Sequence, residues 1–155
     1  MQATTTTTAI QAAMVSALHA LSPTYEHERS TRWQHTPSER ERGRPVIAGL
    51  ALRCFDVAWY PRERARSFLW YGNGEAAQCL VSVFASYRGV PPSLLDHMLV
   101  EDSIDLMREF SRLPEPTTPG LSHFEELGIG AYEVDDPANA WVEHRFRVHW
   151  AQDTD

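Results

Sequence analysis

Seven histidines, from His19 to His149, are the first residues that could do chemistry, as metal ligands or as bases near neutral pH. No two of them have the spacing of a known metal site with a third ligand beside them, and His144 and His149 would point to opposite faces of a strand. Asp96, His97, Glu101 and Asp102 can be drawn as an acid/base set, but a helix surface presents such pairs by chance. Gly72-Asn73-Gly74 is too short to cradle a phosphate and has no accompanying lysine, so it reads as a turn. Gly128-Ile129-Gly130 does not open a helix after a strand, which excludes a dinucleotide fingerprint. Serine, histidine and aspartate occur together only as composition, without a strained elbow to present the serine. Cys54 and Cys79 sit in apolar alternating runs, where a free thiol acts as a small hydrophobe; a disulfide between them is the less favoured alternative. The residues therefore predict no catalytic, cofactor-binding or metal-binding group, and no enzyme.

Any site must be carried by a few strongly patterned elements. Residues 141–150, WVEHRFRVHW, alternate strictly, with Val142, His144, Phe146, Val148 and Trp150 on one side and Trp141, Glu143, Arg145, Arg147 and His149 on the other. One apolar and one charged side predict a strand in a sheet that is covered on one face and open to solvent or a partner on the other. Residues 50–59 and 77–87 also alternate and predict an antiparallel hairpin. Its connection holds a basic turn (Arg62, Arg64, Arg66), an aromatic cluster (Phe68, Trp70, Tyr71) and the Gly-Asn-Gly turn. A second hairpin runs from about residues 129–134 through Asp135-Asp136-Pro137 into the last strand.

Two helices complete the pattern. In residues 9–21, Ile10, Met14, Leu18 and Leu21 form one stripe, and the threonines at 4–8 offer caps. In residues 93–113, Leu95, Met98, Leu99, Leu106, Phe110 and Leu113 form the apolar stripe. Glu101, Asp102, Asp105 and Glu109 form a solvated acidic face, Ser93 and Asp102 are candidate caps, and Pro114, Pro116 and Pro119 stop the helix. Residues 22–46 show no period and carry Pro23, Pro37, Pro45 and the charged run SERERGR, so they read as a long loop anchored by Tyr25 and Trp33. The predicted fold class is α+β: a mostly antiparallel four-stranded sheet of two hairpins, with an N-terminal helix and a middle helix packed on one face.

At 155 residues, 43% hydrophobic and 23% charged, the chain is expected to form one domain spanning residues 1–155. Within it lie a threonine-rich arm at 1–8, the charged loop at 22–46 and an acidic tail at 151–155. A net charge of -7 argues against unspecific nucleic-acid binding through bulk charge, and no specific nucleic-acid binding is expected. All 14 cationic side chains are arginines, a bias that fits a GC-rich genome and equally suits interfaces, where the planar fork makes bidentate pairs. The start lacks the build of a signal peptide and no stretch is long enough to span a bilayer, so a cytoplasmic protein without a membrane partner is expected.

The order helix, charged loop, long hairpin, helix, proline-rich loop and final hairpin resembles the tail terminator (tail completion) proteins of long-tailed bacteriophages. The similarity is carried by the helix at 9–21, the acidic helix containing EDSIDLMREFSRL and the ending DDPANAWVEHRFRVHW. In that family the last strand alternates apolar and basic residues with an aromatic near its end, as Phe146, Val148 and Trp150 do here. The resemblance covers most of the chain as a pattern of elements; the long 22–46 segment and the threonine-rich start depart from it.

The resemblance implies a virion protein, assembled in the host cytoplasm, that forms a homo-oligomeric ring, commonly a hexamer, at the tail or neck. Such a ring caps the head-proximal end of the tail tube and joins it to the head connector, binding the tube and connector proteins while DNA passes through. A ring protomer needs two complementary, heterologous faces. Arg40, Arg42 and Arg44, with Arg62, Arg64 and Arg66, are expected to meet Glu101, Asp105 and Glu109 of a neighbour, with Trp33, Trp59 and Trp70 as buried anchors. Arg145 and Arg147 are further candidate contacts with a neighbour or the tube. The alternatives are another neck or head-closure protein, a small α+β enzyme or ligand-binding domain with a pocket under the long loop, and a domain that binds a peptide by strand addition.

Overall fold

A computed structural model describes residues 3–25, 32–41, 44–47, 49–68, 74–133 and 140–153, with backbone alone for 61–68, 74, 75, 131–133 and 153. The chain order is α1 (Thr7–Ala20), β1 (Gln34–His35), β2 (Arg40–Glu41), β3 (Arg44–Pro45), β4 (Cys54–Phe68), β5 (Gly74–Ser86), α2 (Pro92–Phe110), β6 (Leu121–Glu133) and β7 (Trp141–Asp153). The fold is α+β, with one five-stranded sheet in the order β1-β4-β5-β7-β6 and a separate two-stranded sheet of β2 and β3. β1 runs parallel to β4 and every other pairing is antiparallel.

Both expected hairpins are present, β4 with β5 and β6 with β7, and they are joined because β5 pairs with β7 over the whole of Gly74–Ser86. The expected count of four strands is corrected to five. The fifth strand comes from the segment expected to be a loop: Gln34 and His35 pair with Cys54 and Phe55. β1, β2 and β3 are only two residues each, too short for alternation to reveal them. β4 also runs further than the alternation at 50–59 suggested. A register shift between Tyr60 and Ala65 carries the strand past Pro61, so the backbone of Arg62, Arg64 and Arg66 lies in β4 and not in a turn. Proline is tolerated there because such irregularities remove its neighbours from the hydrogen-bonded ladder.

The helices cover one face of the sheet. Phe55, Val57, Val81, Val83, Val142, Phe146, Val148 and Trp150 meet Ile10, Met14 and Leu18 of α1 and Leu95, Met98, Leu106 and Phe110 of α2 in one core. The far face is partly covered too, since Ile47 packs on Ala58 and Phe84, with Leu50, Tyr60 and Trp141 around them. Two expectations about α2 are corrected. Its N-cap is Pro91, with no side-chain cap, and Asp102 is fully buried in mid-helix instead of serving as a second cap. Cys54 and Cys79 are both buried and are not joined in a disulfide.

The threonine run is built into the domain. Thr6 caps α1 by accepting from Ala9 N at 3.1 Å, while the Thr5 amide donates to Ala151 O at 2.8 Å and bridges in parallel to Gln152. Gly120 makes room for this arm. It has φ +90°, and a Cβ there would lie 2.5 Å from the Thr4 carbonyl carbon. Gly120→Ala is therefore expected to cost about 1–3 kcal/mol in urea unfolding through overpacking and backbone strain. In a chain already shortened by residues 1–5 the same substitution should cost measurably less, because the clash is with the arm.

Candidate functional site

The most unusual chemistry lies under α2. Arg53, at φ +59° just before β4, is completely buried, as are Asp102 and Tyr87. Its guanidinium donates to Asp102 through Nε at 3.0 Å and through one terminal nitrogen at 2.9 Å, in a bidentate pair, and also to the Tyr25 carbonyl at 3.0 Å. Tyr87 donates its hydroxyl to Asp102 Oδ2 at 2.9 Å, and Tyr87 Oη lies 2.9 Å from His144 Nε2. With the tyrosine proton committed to the carboxylate, His144 is the donor, which fixes the neutral ring with its proton on Nε2. Nδ1 then accepts from Ser103 Oγ at 3.4 Å. Trp33 lies against this group, with Arg53 Cζ 5.9 Å from its ring centroid and the His144 ring 6.3 Å away.

Ser103, His144, Tyr87 and Asp102 form a line that superficially suggests a hydrolase. Ser103 sits within α2, however, where its backbone is helical and presents no free amides for an oxyanion, and a tyrosine separates the histidine from the acid. The arrangement ties α2 to β4 and β7.

Burial holds the His144 pKa down, to about 4. Between that value and the ordinary pKa of about 6.5, the unfolded chain binds a proton that the folded chain refuses, so stability falls as pH drops through this window. The expected loss between pH 7 and pH 4 is on the order of 3 kcal/mol. Burial raises the Asp102 pKa, which works in the opposite sense at the acid end. His144→Gln should thus flatten the decline, as read from urea unfolding midpoints at each pH.

Two carboxylates expected to face solvent or a neighbour take structural parts, Glu143 on the far face and Asp105 on α2. Glu143 is buried and accepts from Tyr60 Oη at 2.6 Å and Ser82 Oγ at 2.7 Å; burial and this carboxylate push the Tyr60 hydroxyl up to about 12. Asp105 is fully buried and accepts from Thr24 N at 2.9 Å, Thr24 Oγ at 2.7 Å and Arg108 at 2.9 Å. The acidic face of α2 is therefore corrected: Asp102 and Asp105 are interior, while Glu101 and Glu109 are half-buried.

The remaining candidates divide. Trp33 is buried within its own core, and Trp59 packs on Trp150 with ring centroids 6.1 Å apart while donating to Gln11 at 2.8 Å, so both anchor the subunit itself. Arg40 donates to the Val57 carbonyl at 2.9 Å and lies 3.4 Å from Asp56, clamping the β2–β3 segment to β4. Arg44 is exposed on β3. Arg62, Arg64 and Arg66 are placed only as backbone in β4; Arg42 and Trp70 lie outside the described residues. Arg145 and Arg147 are on the far face as expected and partly exposed. Arg147 lies 3.4 Å from Glu125, and the Arg145 stem rests on Gly130, where a Cβ would come within 1.9 Å of Cδ. His123 and His149 stack beside them, 4.3 Å between centroids.

One surface was missed. Val100, Ile104 and Met107 on α2 are 58%, 44% and 46% exposed, and Leu127 and Ile129 of β6 add to them. Between α2 and β6 lies an open, mainly apolar groove of about 520 Å³, lined in part by Val100, Ser103, Ile104, Gly128 and Ile129. The spacing 100, 104, 107 is a second helical stripe and was visible in sequence. Among the described residues no group of three or more His, Cys, Asp or Glu is placed to hold a metal ion. No helix among them is long and apolar enough to cross a membrane. No protein-family model and no curated protein matches this chain.

Proposed function

We propose that this chain is a structural, self-assembling subunit of the phage tail-terminator kind, which closes into a ring at the head-proximal end of a tail tube. The observation that carries the reading is the difference between the two lateral edges of the sheet. On one side β1 pairs only with Cys54 and Phe55, so among the described residues no strand pairs with β4 beyond Phe55 on that edge. On the other, β6 is broken by register shifts at Leu121/His123, Glu126/Gly128 and Ile129/Ala131. Unlike edges on one subunit suit head-to-tail contact, which closes a ring when the rotation permits. The irregular β6 edge disfavours simple strand addition by a peptide.

The order β4-β5-α2-β6-β7 behind an N-terminal helix also agrees with the pattern on which the resemblance rests. Arg145 and Arg147, on the half-open far face, are contacts with the neighbour or the tube. Arg145→Glu with Arg147→Glu is expected to shift unfolding by about 1 kcal/mol or less, because both side chains reach solvent, while abolishing ring formation seen by electron microscopy. Rings of unchanged abundance would show that this face is structural only.

A further inference from the structure

We infer that the outward face of α2 is a twofold docking surface for a second copy of this chain, packed as an antiparallel helix pair. Val100, Ile104 and Met107 lie at positions i, i+4 and i+7, the spacing of a helix–helix seam, on the side of α2 opposite its core residues Leu95, Met98, Leu99 and Leu106. Large apolar side chains gathered on one exposed face mark an interaction site.

The charges beside the seam specify the occupant. Glu101 and Arg108 each follow a seam residue, Val100 and Met107, and so flank the seam on the same side. When a second α2 is laid antiparallel with its axis near Ile104, residues on the same flank face each other. Glu101 then meets Arg108 of the second copy and Arg108 meets its Glu101, two opposite-charge contacts created by one symmetry operation. A parallel pair would instead place the two copies of this flank on opposite sides of the seam, where Glu101 and Arg108 do not meet. Glu101 makes no ion pair among the described residues, and Arg108, held at 2.9 Å to the buried Asp105 and 3.6 Å from Glu109, keeps its side chain 42% exposed toward this flank. Antiparallel helices also oppose their dipoles favourably.

This contact is separate from ring closure. An isologous contact closes as a dimer, whereas a ring needs head-to-tail contacts; two rings stacked back to back satisfy both.

The test is cysteine cross-linking of the full chain with native mass measurement. Ile104→Cys should form an intermolecular disulfide dimer on mild oxidation. His97→Cys should not, since its two copies would be roughly 20 Å or more apart along the helices. Ile104→Glu should weaken self-association about tenfold or more with an unchanged unfolding midpoint. Glu101→Arg and Arg108→Glu should each weaken it alone, and mixing the two single variants should restore it, because only the mixed pair satisfies both contacts. Failure of Ile104→Cys to cross-link, equal cross-linking at His97→Cys, or no preference for the mixed pair would overturn the inference. Disulfides between Ile104→Cys and Leu127→Cys chains in place of self-cross-links would likewise overturn it, since they indicate head-to-tail seating. Loss of rings in Arg145→Glu with Arg147→Glu, with Ile104→Cys still cross-linking, separates failure of one contact from failure of the other.

Discussion

Asp102→Ala should cost about 3–5 kcal/mol, because it leaves the Arg53 guanidinium fully buried without its bidentate partner. A domain of this size has a total stability of about 5–15 kcal/mol, so the variant is expected to be largely unfolded or to melt at a far lower urea concentration. Tyr87 would lose its acceptor in the same step, and His144 would be left hydrogen-bonded to an unanchored hydroxyl. The revealing comparison is Arg53→Met with Asp102→Leu. Removing both charges eliminates the desolvation cost of each, so the double variant should be more stable than Asp102→Ala alone. A double variant less stable than the single one would mean that the pair itself, and not the stranded charge, sets the loss.

Trp150→Ala should cost a similar amount, about 3–5 kcal/mol, by opening a cavity where β7 lies between Ala77 of β5 and Leu121 of β6. The indole is 2% exposed and packs edge-on against Trp59. Its Nε1 finds no hydrogen-bond partner among the described residues, so Trp150→Phe keeps most ring contact while removing an unpaired buried donor. That variant should lose only about 1 kcal/mol. Equal losses for the two substitutions would place the weight on the indole nitrogen instead of on volume.

What could be read in the chain depended on how locally each feature is encoded. The alternation of β7 was legible because each residue reports its own face: Val142, Phe146, Val148 and Trp150 are buried, while Arg145, Arg147 and His149 are part-exposed. Ile10, Met14 and Leu18 revealed α1 in the same way. Asp102 was misread because an aspartate on a helix is usually solvated, yet it lies at helical spacing from Leu95, Met98, Leu99 and Leu106, inside the apolar stripe. A charged residue there was the available sign of a buried partner. The partner itself could not be read, since Arg53 is 49 residues away and reaches Asp102 only once β4 and α2 are packed. β1 was hidden for a related reason: its two residues pair with β4 through a long-range parallel contact that no local period announces. Val100, Ile104 and Met107 form a second stripe at helical spacing, legible in the sequence and lying outside the single apolar face expected of α2.

The central claim, assembly into a ring without chemistry, is tested most directly by native mass measurement of the full-length protein, with electron microscopy of the same sample. The account predicts a closed ring, a single one or two stacked back to back, that is lost in Arg145→Glu with Arg147→Glu while the subunit stays folded. A strict monomer at every concentration and ionic strength, or a dimer that never grows further, would contradict it.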